Sequence, residues 1–191
     1  NVPEAKAIKF SKLGTTFLVK RFDRDGQQRI HFSSAMTMLG KKDGANATDG
    51  SSYLEIVSFL KANGAKPRDD VQELWKRIVF SMAVSNTDDH FRNHGFILSN
   101  DGWELSPLYD VNPDIYGEYL SLNVDEYDSG IDFDLAIESA PYYGLKKNQA
   151  KKEIDMIKSV VRNNWRELAK KNGISRGEIE RMEPAFHICE E

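Results

Sequence analysis

The chain has 191 residues and a formal net charge of −4, and 40% of its residues are hydrophobic and 29% are charged. This composition predicts one globular domain, or one domain with an appendage, and it offers no basic surface for binding nucleic acid or a membrane. Because Cys189 is the only cysteine, an internal disulfide and a cysteine-based zinc site are excluded, and we expect a cytoplasmic protein.

The first two predicted elements are a β-hairpin and a helix. The β-prone runs AKAIKF and TTFLVKRF are joined across Leu13-Gly14, and the polar stretch DRDGQQ then interrupts the strand pattern. In the later segment SSYLEIVSFLKA, Ser52 and Glu55 have the spacing of a capping box. This segment is predicted to be a helix that ends before Asn63-Gly64.

The clearest helical pattern follows a start signal at residues 67–70, where proline and two acidic residues occur together. Apolar residues then recur at helical spacing at Val71, Leu74, Trp75, Ile78, Val79, Met82 and Ala83. We expect residues 71–85 to form the central buried helix. This helix leads directly into the polar loop SNTDDHFRNHG at residues 85–95.

Beyond the loop, the sequence predicts a second hairpin and then a helical region. The runs GFIL and WEL are joined by a turn at residues 99–102, and Pro107 ends the hairpin. A long amphipathic helix that ends at Gly173 is marked by Ile154, Ile157, Val161, Trp165 and Leu168. Ser175 and Glu178 have the spacing to open another helix. The acidic stretch NVDEYDSGIDFDLAIE is interpreted as a solvated loop rather than as a second cation site.

The polar loop has the residue types and spacing that phosphoryl transfer requires. Kinases place a catalytic aspartate and a metal-binding asparagine five residues apart, and a second metal-binding aspartate follows a short hairpin. This sequence has Asp88, Asn93 five residues later, the predicted hairpin, and then Asp110. The spacing indicates that Asp88 is the catalytic base and that Asn93 and Asp110 bind Mg²⁺.

Other interpretations of the loop residues remain open at this point. In the alternative register, Asp89 rather than Asp88 is the catalytic aspartate, and the metal ligand five residues later is then His94. A nitrogen ligand suits Mg²⁺ less well than an oxygen ligand does. His90 would hold the loop or contact phosphate, and Arg92 would pair with phosphate or with an acidic neighbour. Each of these side chains could instead be a solvated surface residue. Asn93 could cap a turn, and Asp110 could accept backbone hydrogen bonds.

A third interpretation is a metal-dependent hydrolase, whose metal ligands would be Asp88, Asp89, His90, His94 and Asp110. We rank this interpretation lowest, because it gives Asn93 no role and makes the spacing across the hairpin a coincidence.

The segments SNTDDHFRNHGF and GWELSPLYDVNP closely resemble the C-terminal half of the HipA-like serine/threonine kinases, the toxins of bacterial HipBA-type modules. The segment LVKRFDRDGQQRIH resembles the hinge of that family, and MTMLG resembles the stretch that follows it. The resemblance extends from about residue 1 to at least residue 113. It implies an α+β, mostly helical fold: a protein-kinase-like C-terminal lobe with a hinge strand and short β-hairpins.

The resemblance also implies a division of the chain and a role for each hinge residue. Residues 1–32 would be the end of an N-terminal lobe with the hinge, and residues 33–191 would be the helical C-terminal lobe. The backbone of Lys20, Arg21 and Phe22 would contact the adenine of ATP, and Asp23 would lie near the ribose. Lys20 departs from the glutamate that is usual in the family.

The implied activity is the transfer of the γ-phosphoryl group of ATP, with Mg²⁺, to a serine or threonine of a protein such as a translation component. The implied partner is a helix-turn-helix DNA-binding antitoxin. The phosphate-covering loop, the autophosphorylated serine and the ATP-anchoring lysine of the family are expected in an N-terminal lobe outside this chain. We therefore expect a kinase fragment that is inactive alone. The alternative is an interaction subunit that binds an antitoxin or a separate N-terminal lobe.

Overall fold

The computed structural model describes residues 1–11 and 14–190. Its central element is helix α3, Pro67–Ala83, which forms where the apolar spacing predicts it. Pro67 occupies the first helical turn, and Asp69 and Asp70 lie there too, where their charges suit the positive end of the helix dipole. Trp75, Ile78 and Met82 are completely buried, which confirms the predicted face of this helix.

Two small antiparallel hairpins open the chain. Strands β1, Ala5–Ser11, and β2, Gly14–Val19, form the predicted pair, although part of its predicted turn, Leu13, lies outside the described residues. Strands β3, Arg24–Asp25, and β4, Gln28–Arg29, form a second hairpin. The stretch DRDGQQ, which follows the first hairpin, folds back on itself at Gly26, whose φ is 56°.

The third sheet has the strand order β5-β6-β7 and supports the polar loop. Its strands are β5, Phe32–Ser34; β6, Gly95–Ser99; and β7, Gly102–Leu105. Strands β6 and β7 form the predicted second hairpin, and β5 pairs with β6 through Ser33 and Phe96. This pairing fixes the C-terminal end of the polar loop beside the chain that follows the hinge. The predicted boundary between residues 1–32 and residues 33–191 falls within β5, directly after Phe32.

The remaining helices are α1, Ala35–Met38; α2, Tyr53–Asn63; α4, Phe133–Ser139; α5, Lys147–Lys171; and α6, Arg176–Met182. Of these, α2, α4 and α5 pack against α3. Both predicted capping boxes are confirmed, since Ser52 with Glu55 caps α2 and Ser175 with Glu178 caps α6. Short 3₁₀ helices cover 47–49, 140–143 and 183–189.

The buried side chains form two clusters that meet at the C-terminal end of α3. The larger cluster packs α2, α4 and the first part of α5 against α3. The smaller cluster includes Val84, Trp165 and Phe186, and the rings of the last two stack with centroids 4.2 Å apart. Leu168 departs from the predicted apolar face of α5, because it is 55% exposed. The two clusters together anchor the point where the polar loop begins.

The acidic stretch between β7 and α5 contributes turns and a helix cap. Asp125 accepts hydrogen bonds from the backbone N–H groups of Tyr127 and Asp128, and Asp132 accepts one from Asp134 at the start of α4. Within residues 1–11 and 14–190, no helix is long and apolar enough to cross a bilayer.

Candidate active site

The polar loop is fixed at its start by the last turns of α3. Ser85 turns the chain out of the helix with a positive φ of 49°, a conformation that residues other than glycine seldom adopt. The next residue, Asn86, is buried; its backbone N–H donates to the Ser81 carbonyl at 2.8 Å, and its Nδ2 donates to Ser81 Oγ at 3.3 Å. The loop therefore begins from a rigid position.

Three hydrogen bonds hold the segment at residues 112–114 against the start of this loop. The Asn112 N–H donates to Asn86 Oδ1 at 3.1 Å, and the Asp114 N–H donates to the Ser85 carbonyl at 3.0 Å. Thr87 Oγ1 also donates to Asp114 Oδ2 at 2.8 Å. These contacts bring the segment that carries Asp110 back to the loop after the β6-β7 hairpin.

Asn93 and Asp110 lie in direct contact, as their kinase-like spacing predicts. Asn93 Nδ2 donates to Asp110 Oδ2 at 2.9 Å and lies 3.3 Å from the Asp110 carbonyl oxygen. The other Asp110 carboxylate oxygen accepts a hydrogen bond from Asn112 Nδ2 at 3.1 Å. Asp110 also has a positive φ of 58°. The two side chains are close enough to share one cation.

The contacts of Asn93 and Asp110 fit a magnesium ion. Asn93 Oδ1 is buried and has no hydrogen-bond partner among the described residues, and Asp110 supplies a carboxylate beside it. Mg²⁺ is usually held by one or two protein oxygen ligands, and phosphates and waters complete its coordination. In the described part of the chain, no three His, Cys, Asp or Glu side chains form a cluster that could hold a metal ion. The oxygen pair therefore suits a metal that arrives with a phosphate ligand.

Asp88 differs from this pair because it is exposed. Its side chain is 82% accessible, and its Oδ1 lies 3.7 Å from His90 Nε2. Among the described contacts, Asp88 makes no hydrogen bond to Asn93 or Asp110; its backbone carbonyl accepts the His90 N–H at 3.1 Å. An exposed carboxylate on a fixed loop can meet a hydroxyl group that approaches from another molecule.

Asp89 and His94 point into the core instead. Asp89 is 2% exposed and His94 is 1% exposed, and Asp89 Oδ1 lies 3.0 Å from His94 Nε2. Tyr53 Oη donates to Asp89 Oδ2 at 2.8 Å, and Ser81 Oγ donates to the same oxygen at 3.2 Å. Burial raises the pKa of Asp89, but the neighbouring His94 and the donors Tyr53 and Ser81 outweigh it, so the net shift is downward.

This burial counts against two of the alternative interpretations. The register that begins at Asp89 would need Asp89 and His94 to face ATP, yet both side chains are enclosed by α2 and α3. The hydrolase interpretation needs the same two residues to join Asp88, His90 and Asp110 around a metal. Because Asp89 and His94 are taken up by the buried contacts, the Asp88 register is the one that the geometry favours.

His90 and Arg92 are less buried than this pair. Together with Lys42, Asp43 and other residues they line a cavity of about 190 Å³. Arg92 Nη2 forms an ion pair with Asp43 Oδ1 at 2.9 Å, and both side chains are more than half exposed. Exposed ion pairs contribute little stability, so the Arg92 guanidinium remains able to change partner.

The predicted hinge residues line one cavity of about 330 Å³. Its walls are Val19, Lys20, Arg21, Phe22, Asp23, Phe32, Arg92 and Tyr109. The Phe22 ring lies 5.5 Å from that of Phe32 and 5.8 Å from that of Tyr109. The Lys20 N–H donates to the Glu4 carbonyl, so this N–H is not available to a base. A cavity with aromatic walls suits a planar ring.

Tyr109 is a site residue that the sequence did not identify. Its hydroxyl donates to the Arg92 carbonyl at 2.7 Å, which connects the hinge cavity to the loop, and burial raises the pKa of this phenol. The available signal was its position immediately before Asp110. Asn86, Thr87 and Asp114 were also missed, because their contacts join segments that are far apart in the chain.

Asp23 is held by two arginines. It accepts hydrogen bonds from Arg21 Nε at 2.7 Å, from Arg21 Nη2 at 2.6 Å and from Arg24 Nη1 at 2.7 Å. The hydrogen-bonded Arg21 side chain is the main cause that lowers the pKa of Asp23 to about 2. The Asp23 carboxylate thus remains ionised at the edge of the hinge cavity.

The family model described as the HipA-like C-terminal domain matches residues 1–165. The chain belongs to this HipA-like family. The serine/threonine-protein kinase toxin HipA of Shewanella oneidensis is 30% identical over 148 residues, which cover 66% of this chain and 34% of the toxin. A Haemophilus influenzae protein that is provisionally named a kinase is 34% identical over 101 residues, 49% of this chain and 29% of that protein.

A solved structure supports the same fold. A chain in the complex of the Shewanella oneidensis MR-1 toxin-antitoxin system, which contains HipA, HipB and operator DNA, matches the whole of this chain with a TM-score of 0.82 and 20% identity. This likeness confirms the predicted α+β fold of the HipA-like C-terminal part. The match covers 51% of the solved chain, so the HipA-like chain described here spans about half of that protein and about a third or less of the two curated relatives named above.

Proposed function

We propose that this chain carries the C-terminal catalytic lobe of a HipA-like protein kinase, which transfers the γ-phosphoryl group of ATP to a serine or threonine of another protein. The main support is the contact of Asn93 with Asp110 at 2.9 Å, beside which the buried Asn93 Oδ1 has no hydrogen-bond partner among the described residues. Asn93 and Asp110 together offer an amide oxygen and a carboxylate to one cation, which the interaction-subunit alternative does not require.

In the proposed reaction, Asp88 accepts the proton of the acceptor hydroxyl. Its exposure allows the hydroxyl to approach from outside, and the turn from Asp88 to His90 fixes its backbone. Asn93 and Asp110 hold Mg²⁺, which supplies charge neutralisation at the ATP phosphates when bound. His90 and Arg92 lie beside the loop and supply positive or hydrogen-bonding groups to the phosphates.

The hinge cavity is the proposed adenine site. The backbone of Lys20, Arg21 and Phe22 contacts the base, and Asp23, which stays ionised, accepts hydrogen bonds from the ribose hydroxyls. The support is that all four residues line one cavity with the aromatic ring of Tyr109. Arg92 lines this cavity as well, so a nucleotide in it extends from the hinge towards the loop.

The rest of the proposed machinery lies in a longer protein. Residues 1–32 end an N-terminal lobe whose other parts supply the phosphate-covering loop and the ATP-anchoring lysine, and residues 33–191 form the C-terminal lobe. The proposed partners are a helix-turn-helix antitoxin and a cytoplasmic protein substrate that acts in translation. The names of HipA and HipB in the matched complex support an antitoxin partner.

The test is a radiolabelled-ATP assay of autophosphorylation or protein phosphorylation with the full-length protein. Asp88→Asn and Asp110→Asn should each lower the rate by several orders of magnitude, because they remove the base and a metal ligand. Asp125→Asn is a matched control, because Asp125 accepts backbone hydrogen bonds in a turn and should leave the rate unchanged.

The same assay separates the proposed kinase from its alternative. A full-length protein that binds an antitoxin but transfers no phosphoryl group would indicate an interaction subunit. An active Asp110→Asn variant would rule out the proposed role of Asp110 in holding Mg²⁺.

A further inference from the structure

The polar loop contains two pairs of residues with the same spacing. Asp88 and Asn93 are five residues apart, and so are Asp89 and His94, which directly follow them. The first pair carries the proposed chemistry, whereas the second pair is buried and in contact. Asp88 is thus followed by the buried Asp89, and Asn93 is followed by the buried His94.

The buried pair is tied to two helices that are independent of the loop. Tyr53, in the first turn of α2, donates to Asp89 Oδ2 at 2.8 Å, and its ring meets the His94 ring edge-on with centroids 5.5 Å apart. Ser81, near the end of α3, donates to the same oxygen at 3.2 Å. The His94 carbonyl also accepts the Ala35 N–H at 2.8 Å. Both ends of the segment 89–94 are therefore fixed to the core.

We propose that Asp89 and His94 are positioning residues, whose contact with each other and with Tyr53 sets the distance between the base Asp88 and the metal ligand Asn93. This inference rests on the proposed function of Asp88 and Asn93. Neither Asp89 nor His94 touches a substrate. They act through the backbone of the residue that precedes each of them.

Directional contacts explain why a polar pair serves this purpose. The two oxygens of Asp89 have different surroundings: Oδ2 accepts hydrogen bonds from Tyr53 and Ser81, whereas Oδ1 lies 3.0 Å from His94 Nε2, a close approach that lacks hydrogen-bond geometry. The two hydrogen bonds to Oδ2 and the close His94 ring restrict the carboxylate, and with it the backbone between Asp88 and His90. An apolar pair would close the loop without fixing this orientation. In other enzymes, a misplacement of ~1 Å at a reacting group costs about 100-fold in rate.

A purely structural role would also place a buried polar pair here, so a loss of stability alone does not test the proposal. Two readouts separate the roles. One is the turnover number, expressed per folded molecule, and the other is the Mg²⁺ concentration that gives the half-maximal rate. A positioning role changes both quantities, because it alters the geometry of Asp88 and Asn93. A structural role changes only the folded fraction.

Two buried tyrosines provide a matched comparison. Tyr53 and Tyr143 are both completely buried. The Tyr53 hydroxyl donates to Asp89 Oδ2 at 2.8 Å and lies 3.3 Å from the Asp89 carbonyl oxygen, and the Tyr143 hydroxyl donates to the Val124 carbonyl at 2.6 Å. In the full-length protein, Tyr53→Phe should lower the turnover number about 10-fold and raise the Mg²⁺ requirement, as loss of an outer-shell partner does elsewhere. Tyr143→Phe should lower the thermal unfolding temperature without changing either quantity.

The pair itself is tested by Asp89→Asn, His94→Phe and the double variant. Each single change should lower the turnover number ~10–100-fold. The KM for ATP should change by less than about twofold, because the hinge contacts that bind the base are separate from Asp89 and His94. The double variant should be no slower than the slower single variant, since both changes break the same contact.

The outcomes separate this inference from the proposed function. If Asp88→Asn abolishes phosphoryl transfer while Tyr53→Phe behaves like Tyr143→Phe, the positioning role is wrong and the kinase proposal stands. Additive effects of Asp89→Asn and His94→Phe would equally overturn the positioning role. If Asp88→Asn leaves the rate unchanged, the proposed function is wrong, and the positioning role that rests on it is wrong as well. Should Asp89→Asn fail to fold, Tyr53→Phe, which keeps the ring, still decides the question.

Discussion

Gly117 packs so closely against Thr87 that a Cβ atom at position 117 would overlap the Thr87 Cγ2 atom. The same threonine donates to Asp114 Oδ2, and its carbonyl accepts a hydrogen bond from Ser121 Oγ at 2.6 Å. The segment 114–121 therefore presses on the residue that directly precedes Asp88. The position of the proposed base depends on a glycine 29 residues away in the sequence.

We predict that Gly117→Ala lowers phosphoryl transfer by the full-length protein about 10-fold or more, because the added methyl group must displace Thr87 and hence Asp88. Thr87→Ser should rescue the Gly117→Ala variant, since serine lacks the obstructing methyl group but keeps the hydroxyl that bonds Asp114. The measurement is the rate of transfer from radiolabelled ATP for the two single variants and the double variant.

Gly177→Ala is the control for this prediction. Gly177 lies in α6, and a Cβ there would meet no atom within 4 Å. We expect a neutral effect on activity and a stability gain of up to ~1 kcal/mol, because alanine restricts the unfolded chain. A rate of Gly117→Ala equal to that of Gly177→Ala would show that the contact with Thr87 does not hold Asp88 in place.

A second prediction compares two adjacent carboxylates. Asp88 is largely exposed, so Asp88→Ala should remove activity without a measurable change in the free energy of unfolding. Asp89 is buried among Tyr53, Ser81 and His94, and its truncation leaves these groups without their partner. We expect Asp89→Ala to cost ~3–5 kcal/mol in stability. Urea unfolding of both variants measures the difference, and equal stabilities would contradict the burial of Asp89.

A third prediction concerns the core of the lobe. Ile78 is completely buried in α3, and Ile78→Ala should lower the free energy of unfolding by ~2–5 kcal/mol through lost burial and a cavity. Leu168→Ala in α5 removes an equally large apolar side chain that is 55% exposed, and it should cost far less. Denaturant titrations of the two variants should differ in midpoint. If Leu168→Ala were the more harmful change, α5 would have a different buried face.

A fourth prediction follows from the arginines around Asp23. An NMR titration of the Asp23 carboxyl carbon should give a pKa of about 2, below the ordinary value because of the hydrogen-bonded Arg21. Arg21→Gln should move this pKa back towards the ordinary range. Arg24→Gln should move it less, since the hydrogen bonds from Arg21 are the larger cause. A pKa that is unchanged in Arg21→Gln would show that the contact does not persist in solution.

The sign of the corresponding stability effect is fixed by that shift. The pKa of Asp23 is lower in the folded chain than in the unfolded chain, so its pairing stabilises the fold at pH values above the unfolded pKa of ~3.9. This contribution is lost as the pH falls from there through about 2. The carboxylate therefore keeps its charge throughout the neutral range in which a nucleotide would bind.

The sequence predicted the elements whose signals are local. The apolar spacing of α3, the capping boxes at Ser52 and Ser175 and the turn between β6 and β7 all act over a few residues, and each element is present. The short strand β5 was missed, because its pairing with β6 joins residues 33 and 96 and leaves no local pattern. The β3-β4 hairpin was missed because two-residue strands are too short to show alternation.

The same distinction applies to the candidate site. The spacing predicted that Asp88, Asn93 and Asp110 would converge at one cleft, with the last two close enough to share a cation. The contact of Asn93 with Asp110 is present, whereas no described hydrogen bond joins Asp88 to either. Spacing could not reveal that Asp89 faces the core, because its partners Tyr53 and Ser81 come from two separate helices. A carboxylate beside another carboxylate in a polar loop gives no sign of burial. Only the packing of α2 and α3 distinguishes the buried Asp89 from the exposed Asp88.

The left-handed backbone of Asp110 restricts which acid can occupy this position. At a φ of 58°, asparagine, aspartate and glycine are the residues most easily accommodated, because short polar side chains tolerate this region. Glutamate binds Mg²⁺ as readily as aspartate does, yet its longer side chain gains no such tolerance. Backbone shape rather than metal chemistry thus favours aspartate over glutamate at position 110. Replacement of Asp110 by glycine would relieve the backbone strain and at the same time remove the carboxylate.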